Sequence, residues 1–249
     1  MSPTRALWLS VVATSGGFAA LQTLRFAREH DRVRRVLASL VPAERIATGD
    51  DLRAVKHFVA ETVRPLPSGS IRPRPMLRDS ATELLSSGEG FCGESARLSV
   101  LLLRAGGLSA NRIYIAGPKW GHVAVEHRWH DEWVLFDAFP VPETYLADEL
   151  VGSIRVGDLA SFPNLYAAVN PWVDLYRVRL PRRLHDPPRR RRLRFVAERR
   201  PPAFVPLVLE SPALLKALLG WKTCAFAVAM LSCQARGARR IRRGPRHPG

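Results

Sequence analysis

Gly88-Glu89-Gly90-Phe91-Cys92-Gly93-Glu94-Ser95-Ala96 leads directly into the apolar stretch Leu98 to Leu103, which stops at Gly106-Gly107. A glycine-broken loop giving way to an apolar run predicts a helix with Cys92 in its first turn. At that position the amides lacking intrahelical acceptors and the positive end of the helix dipole favour thiolate over thiol, and the thiolate is the nucleophile.

Working outward, two further residues sit in settings that complement a thiol. His122 opens Gly121-His122-Val123-Ala124-Val125-Glu126, and Asp137 closes Trp133-Val134-Leu135-Phe136-Asp137, 30 and 45 residues beyond Cys92. Both runs are rich in β-branched and aromatic residues and read as strands. Trp129-His130-Asp131-Glu132 makes the turn between them. If that turn pairs Arg128 with Trp133, Asp137 falls opposite Ala124, and His122 lies on the same sheet face at a diagonal of roughly 7–8 Å. A slip of one residue would send the two side chains to opposite faces. Taken singly, the cysteine reads as a small buried hydrophobe, the histidine as a core residue and the aspartate as a strand-end cap. Taken together, they are a nucleophile, a base and an orienting group.

On these motifs, residues 79 to 140 resemble the core of the transglutaminase-like superfamily, distant relatives of the papain-like cysteine proteases. Cys92 with Gly90 and Gly93, His122 heading one strand and Asp137 ending the next match the family pattern. Leu101-Leu102-Leu103-Arg104-Ala105-Gly106-Gly107-Leu108 resembles the helix end and turn that follow the family's cysteine. The chain is too short for the extra β domains of the large animal enzymes and resembles a bacterial-type, single-domain member. It also lacks the clustered acidic loop of calcium regulation, so neither metal nor cofactor is implied. The resemblance implies an α+β, papain-like core in which the Cys92 helix packs on an antiparallel sheet, with extra helical segments at both ends. It also implies cysteine-dependent acyl chemistry on a peptide bond or carboxamide through a thioester. In that mechanism His122 protonates the departing amine and Asp137 fixes the imidazole tautomer. Trp120, two residues before His122, is a candidate wall of the substrate channel. Two alternatives stand beside this reading: maturation of a peptide precursor, and a noncatalytic module of the same fold anchored at a membrane.

Charge is distributed unevenly. Residues 182–249 hold 17 of the 38 Lys and Arg but only Asp186, Glu198 and Glu210 of the 22 acids, which leaves +14 there and +2 over residues 1–181. The basic clusters Arg189 to Arg194 and Arg236 to Arg246 come without an aromatic base-stacking platform, so nucleic acid is not indicated. An anionic membrane surface or an acidic partner fits them, as does a solvated tail. Three cysteines without a C-x-x-C motif give neither a disulfide framework nor a zinc site.

Two apolar stretches raise the question of a membrane. Ala6 to Leu24 carries no charge between Arg5 and Arg25, 19 residues that just suffice to cross a bilayer or to form a signal peptide. Ala213 to Cys233 contains Lys216 and Lys222 and reads as an interfacial or tightly packed amphipathic helix. Arginines from Arg25 to Arg35 favour the cytoplasm or its membrane face over export. The expected organisation is therefore an N-terminal helical region over residues 1–41, as one or two helices, a catalytic domain over 42–181, and a basic tail with an apolar helix over 182–249. Oligomeric state is not legible.

Overall fold

The computed structural model describes residues 3–66, 80–116, 121–140, 146–162, 165–166, 174–177, 200–202 and 204–242. The chain divides into two compact units, Glu29–Glu210 on the one hand and Met1–Arg28 with Ser211–Gly249 on the other.

Helix α1 (Pro3–Leu40) is continuous through the Gly16-Gly17 pair and ends ahead of Pro42, so the N-terminal region is a single helix. Proline disfavours helical geometry at the residue before it, which accounts for the stop. In the larger unit α1 buries Val33 and Leu37, and its Glu29 carboxylate accepts the Ala81 N–H at 2.6 Å.

Helix α2 (Gly49–Thr62) starts at a capping box, with Thr48 accepting from the Asp51 N–H and Asp51 from the Thr48 N–H. Leu52, Val55, Val59 and Val63 recur at helical spacing and are all fully buried. The short strand β1 (Arg64–Pro65) follows. Helix α3 (Ala81–Ser87) begins at a Ser80/Glu83 capping box. Strand β2 (Glu89–Gly90) pairs parallel to β1 and delivers the chain to helix α4 (Cys92–Ala105). Gly90 is required at that junction: a Cβ there would lie 2.7 Å from Glu94 Cβ and 3.1 Å from Val63 Cγ1.

The sheet is antiparallel in the order β5-β4-β3-β6, formed by β3 (Ala110–Ala116), β4 (Gly121–Trp129), β5 (Glu132–Phe136) and β6 (Asp174–Tyr176). The fold is α+β as expected, with α4 packed on β3 and β4. The register pairs Arg128 with Trp133, as expected, but Trp129 and Glu132 also pair, so the turn is only His130-Asp131. Both have positive φ, 45° and 66°, the conformation of a two-residue type I′ hairpin.

The free edge of β5 is covered by its own chain, with Leu135 N–H donating to Ile154 O at 2.7 Å and Val134 bridging to Arg155. The segment is pinned by Asp148, whose carboxylate takes fully buried Lys56 at 2.5 Å and His57 Nε2 at 2.8 Å. Helix α5 (Phe204–Glu210) closes the unit by placing Glu210 against Arg112 of β3 and Arg97 of α4.

In the smaller unit, helix α6 (Pro212–Arg242) runs antiparallel to the first part of α1. Trp8 meets Phe226 edge-on with ring centroids 6.0 Å apart, Cys224 Sγ lies 3.8 Å from Val12 O, and Trp221 Nε1 donates to Thr23 Oγ1 at 3.4 Å. By length and composition α1 and Pro212–Gln234 are each able to cross a bilayer.

Candidate active site

Cys92 is the first residue of α4, behind the N-cap Phe91. Glu94 turns its carboxylate back to accept the Phe91 N–H at 3.1 Å, which holds the loop-to-helix turn. Phenylalanine has no side-chain acceptor to offer the first turn. The Glu94 and Ser95 N–H groups donate to Phe91 O at 2.9 and 3.1 Å, and Cys92 is half-buried rather than entombed.

His122, second residue of β4, pairs with Ile115 of β3. Asp137 follows the last residue of β5, one step beyond the Val125/Phe136 pair, and therefore stands opposite Ala124 on the face that carries His122. The imidazole Nε2 and Asp137 Oδ2 are 2.5 Å apart, both side chains almost fully buried. Asp137 takes Nε2, which leaves Nδ1 as the open ring nitrogen, and Cys92 is close enough to the ring to act on its charge. The structure thus brings the three residues together. Burial alone would drive His122 toward its neutral form. The Asp137 carboxylate outweighs this by charge and hydrogen bond, Cys92 adds to it, and the imidazole pKa is pushed up from 6.5 to about 10.

Two groups that the sequence did not reveal complete the surroundings of Asp137. The Tyr166 hydroxyl donates to Oδ2 at 2.9 Å, and the Phe139 N–H donates to Oδ1 at 3.0 Å. The Tyr166 ring also lies 5.1 Å from the imidazole, centroid to centroid, and the Phe139 ring 6.2 Å. Burial, then the charge and hydrogen bond of Asp137, hold the phenol well above its ordinary range, so Tyr166 is a neutral donor throughout. The segment that covers the β5 edge brings it there: it continues through the turn Val156–Ser161 and the bond from Leu165 N–H to Phe162 O to reach Tyr166. Nothing in the local sequence Leu165-Tyr166 marks the tyrosine, because its role depends on a strand edge 30 residues earlier.

Tyr166→Phe keeps the ring and deletes one bond to a buried carboxylate. It should cost about 2 kcal/mol of stability, measured as a lowered urea midpoint, with the fold retained. An unchanged midpoint would mean that the hydroxyl contributes nothing to holding Asp137.

A second buried histidine, His127, is different in kind. It packs edge-on against Trp129 and Phe136, and burial lowers its pKa to about 4, so it is a neutral core ring. Trp120, the expected channel wall, is outside the described residues. Among the described residues no group of three His, Cys, Asp or Glu side chains gathers as a metal site.

No family model and no curated protein matches this chain. Solved structures that overlap it include a candidate cysteine protease from Cytophaga hutchinsonii, 20% identical, with TM-score 0.37 over 45% of this chain and 38% of that one. A TGase is 14% identical, with TM-score 0.39 over 50% and 35%. A candidate protease from Parabacteroides distasonis is 14% identical, with TM-score 0.35 over 51% and 27%. This chain spans well under half the length of each. Every TM-score is below 0.5, and the functional reading rests on the geometry of the site instead.

Proposed function

We propose that the 29–210 unit is a cysteine-dependent acyl-transfer or hydrolytic enzyme acting on an amide, with Cys92, His122 and Asp137 as its catalytic residues and a transglutaminase-like ancestry. The observation that carries this reading is the 2.5 Å bond from Asp137 to His122 Nε2, made beside a half-buried cysteine at a helix start that acts on the charge of the same ring. A core histidine satisfied by one carboxylate has no need of a thiol on its other side.

The chemistry follows from the placement. The Cys92 thiolate attacks the carbonyl carbon of a peptide bond or carboxamide, and the oxygen becomes an oxyanion for which the Cys92 N–H, at the helix start, is the first donor. The His122 imidazolium gives its proton to the leaving nitrogen as the C–N bond breaks, leaving a thioester on Cys92 and a neutral imidazole. Water or a second amine then gives a proton to His122 and attacks the thioester, releasing the acid or the new amide and restoring the thiolate–imidazolium pair. Asp137 supports the imidazolium between steps.

Incubation with a mixed library of glutamine-containing peptides, followed by acid quench and intact-mass spectrometry, tests the proposal. An acyl adduct is expected that maps to Cys92, is cleaved by neutral hydroxylamine and is absent from Cys92→Ser. Peptide turnover that persists in Cys92→Ser would contradict it, as would a labelled chain whose adduct maps elsewhere.

A further inference from the structure

We propose that residues 1–28 and 211–249 form a transmembrane helical hairpin, with bilayer lipid as the occupant of its outer surface. The two crossings would place the 29–210 unit on the side of the membrane opposite to both chain ends. This does not depend on the catalytic reading.

Four independent observations carry it. The first is length. The uncharged run Ala6 to Leu24 spans about 28 Å as a helix, close to the hydrocarbon thickness of a bilayer.

The second is the outer surface. Leu7 is 61% exposed, Leu24 58%, Leu219 58% and Phe226 60%, far more apolar area than two helices of a water-soluble hairpin would leave bare. In water these side chains would have been the ones to turn inward.

The third is the seam, which is built from small residues. Ala19 and Ala227 are fully buried, a Cβ added at Gly220 would lie 2.9 Å from Ala19 Cβ, and one added at Gly16 would meet Cys224 Sγ at 3.5 Å. Close backbone approach with the large residues outside is how helices associate in lipid, where burying a leucine between helices brings little advantage.

The fourth is the treatment of polar groups. Hydroxyls on these helices turn back onto their own backbone: Thr14 to Ser10 O at 2.7 Å, Ser15 to Val11 O at 2.6 Å, Thr23 to Ala19 O at 2.8 Å, Thr223 to Leu219 O at 3.0 Å and Ser232 to Val228 O at 2.9 Å. Lipid offers no alternative partner, so such groups must be satisfied within the helix.

Charge and aromatic placement agree with two interfaces. Arg25 and Lys216 lie at one end of the hairpin, and Arg5 with Trp8 at the other, near the end of α6 that leads into the Arg236 to Arg246 run. Lys222 is exposed and lies between the Gly220/Ala19 and Gly16/Cys224 contacts, level with Gly17 and Phe18 inside the apolar run, so its ammonium must be carried toward the headgroups by its alkyl stem. Basic ends face anionic headgroups, and tryptophans sit at the headgroup level. The proposal takes α6 as a crossing rather than as the interfacial, amphipathic helix of the sequence reading, because its apolar residues outside the seam with α1 are exposed.

Three full-length single-cysteine chains test the proposal in sealed membrane vesicles of one orientation, probed with a membrane-impermeant maleimide. One keeps only Cys92, one keeps only Cys224, and one has all three cysteines replaced and carries Gly249→Cys. The protein should remain in the pellet after an alkaline carbonate wash. The Cys92 and Gly249→Cys thiols should label from opposite faces, and Cys224 only after detergent. Release by carbonate, labelling of Cys92 and Gly249→Cys from the same face, or ready labelling of Cys224 in intact vesicles would each overturn the hairpin. None of these outcomes depends on whether Cys92 is catalytic.

Discussion

An Asp137→Asn variant is expected to acylate Cys92 about 10⁴-fold more slowly than the parent chain while remaining folded. The reason is the bonding at the two carboxylate oxygens. Oδ1 accepts the Phe139 N–H, and Oδ2 accepts from both His122 Nε2 and the Tyr166 hydroxyl. An ionised carboxylate accepts at both oxygens, whereas an amide accepts at one and donates at the other. If the Asn oxygen takes the Phe139 N–H, its NH₂ confronts His122 and Tyr166, and the imidazole must turn or adopt the other tautomer. The same change removes the negative charge that raises the His122 pKa to about 10, so the imidazole should lose its proton at a lower pH. Thioester formation followed by mass spectrometry measures the first effect, and an NMR titration of the His122 ring the second. Acylation within about tenfold of the parent would reduce Asp137 to a strand-end cap.

Glu210→Ala should be the most damaging substitution for the stability of the 29–210 unit. Glu210 is the last residue of α5, and its carboxylate faces Arg112 directly and Arg97 Nε at 3.7 Å. The Arg97 and Arg112 side chains are only 1% and 5% exposed, so the change takes the Glu210 counter-charge away from two buried guanidinium groups. Removing one partner of a buried pair costs about 3–5 kcal/mol, because the remaining charge cannot regain water. For a unit of this size that corresponds to a fall in Tm of roughly 10 °C. Since Arg97 is on the Cys92 helix and Arg112 on β3, the loss should loosen the packing of α4 on the sheet as well. Circular dichroism melts of Glu210→Ala beside Glu210→Gln measure it, with the glutamine variant intermediate. Equal melts for Glu210→Ala and the parent would mean that water already reaches these arginines.

The elements that carry the site were legible because each is specified locally. The glycine turn before Cys92 and the β-branched and aromatic runs around His122 and before Asp137 depend on neighbours a few residues away, and all appear in the structure. The Arg128/Trp133 register was equally accessible, although the turn is tighter than expected because His130 and Asp131 tolerate positive φ. The groups that sequence reading missed are joined across long stretches of chain. Tyr166 reaches Asp137 across 29 residues, Glu210 reaches Arg112 across 98, and fully buried Lys56 reaches Asp148 across 92. Residue type gives no hint of such partners. Lysine, glutamate and arginine read as surface residues until a counter-charge is known to be buried with them. The seam of the hairpin was hidden for the same reason. Gly16-Gly17 looks like a weakness in a helix until Cys224, some 200 residues later, is seen to occupy the space it leaves.

The most direct test of the central claim, that His122 and Cys92 act on one another, is the rate of iodoacetamide alkylation of Cys92 measured from pH 5 to 9. The parent chain and His122→Ala would be compared with a free model thiol. A protonated imidazole beside the sulfur predicts that Cys92 of the parent outpaces the model thiol at pH 6, and that His122→Ala loses this advantage. Identical profiles for the two proteins, both no faster than the model thiol, would contradict the account.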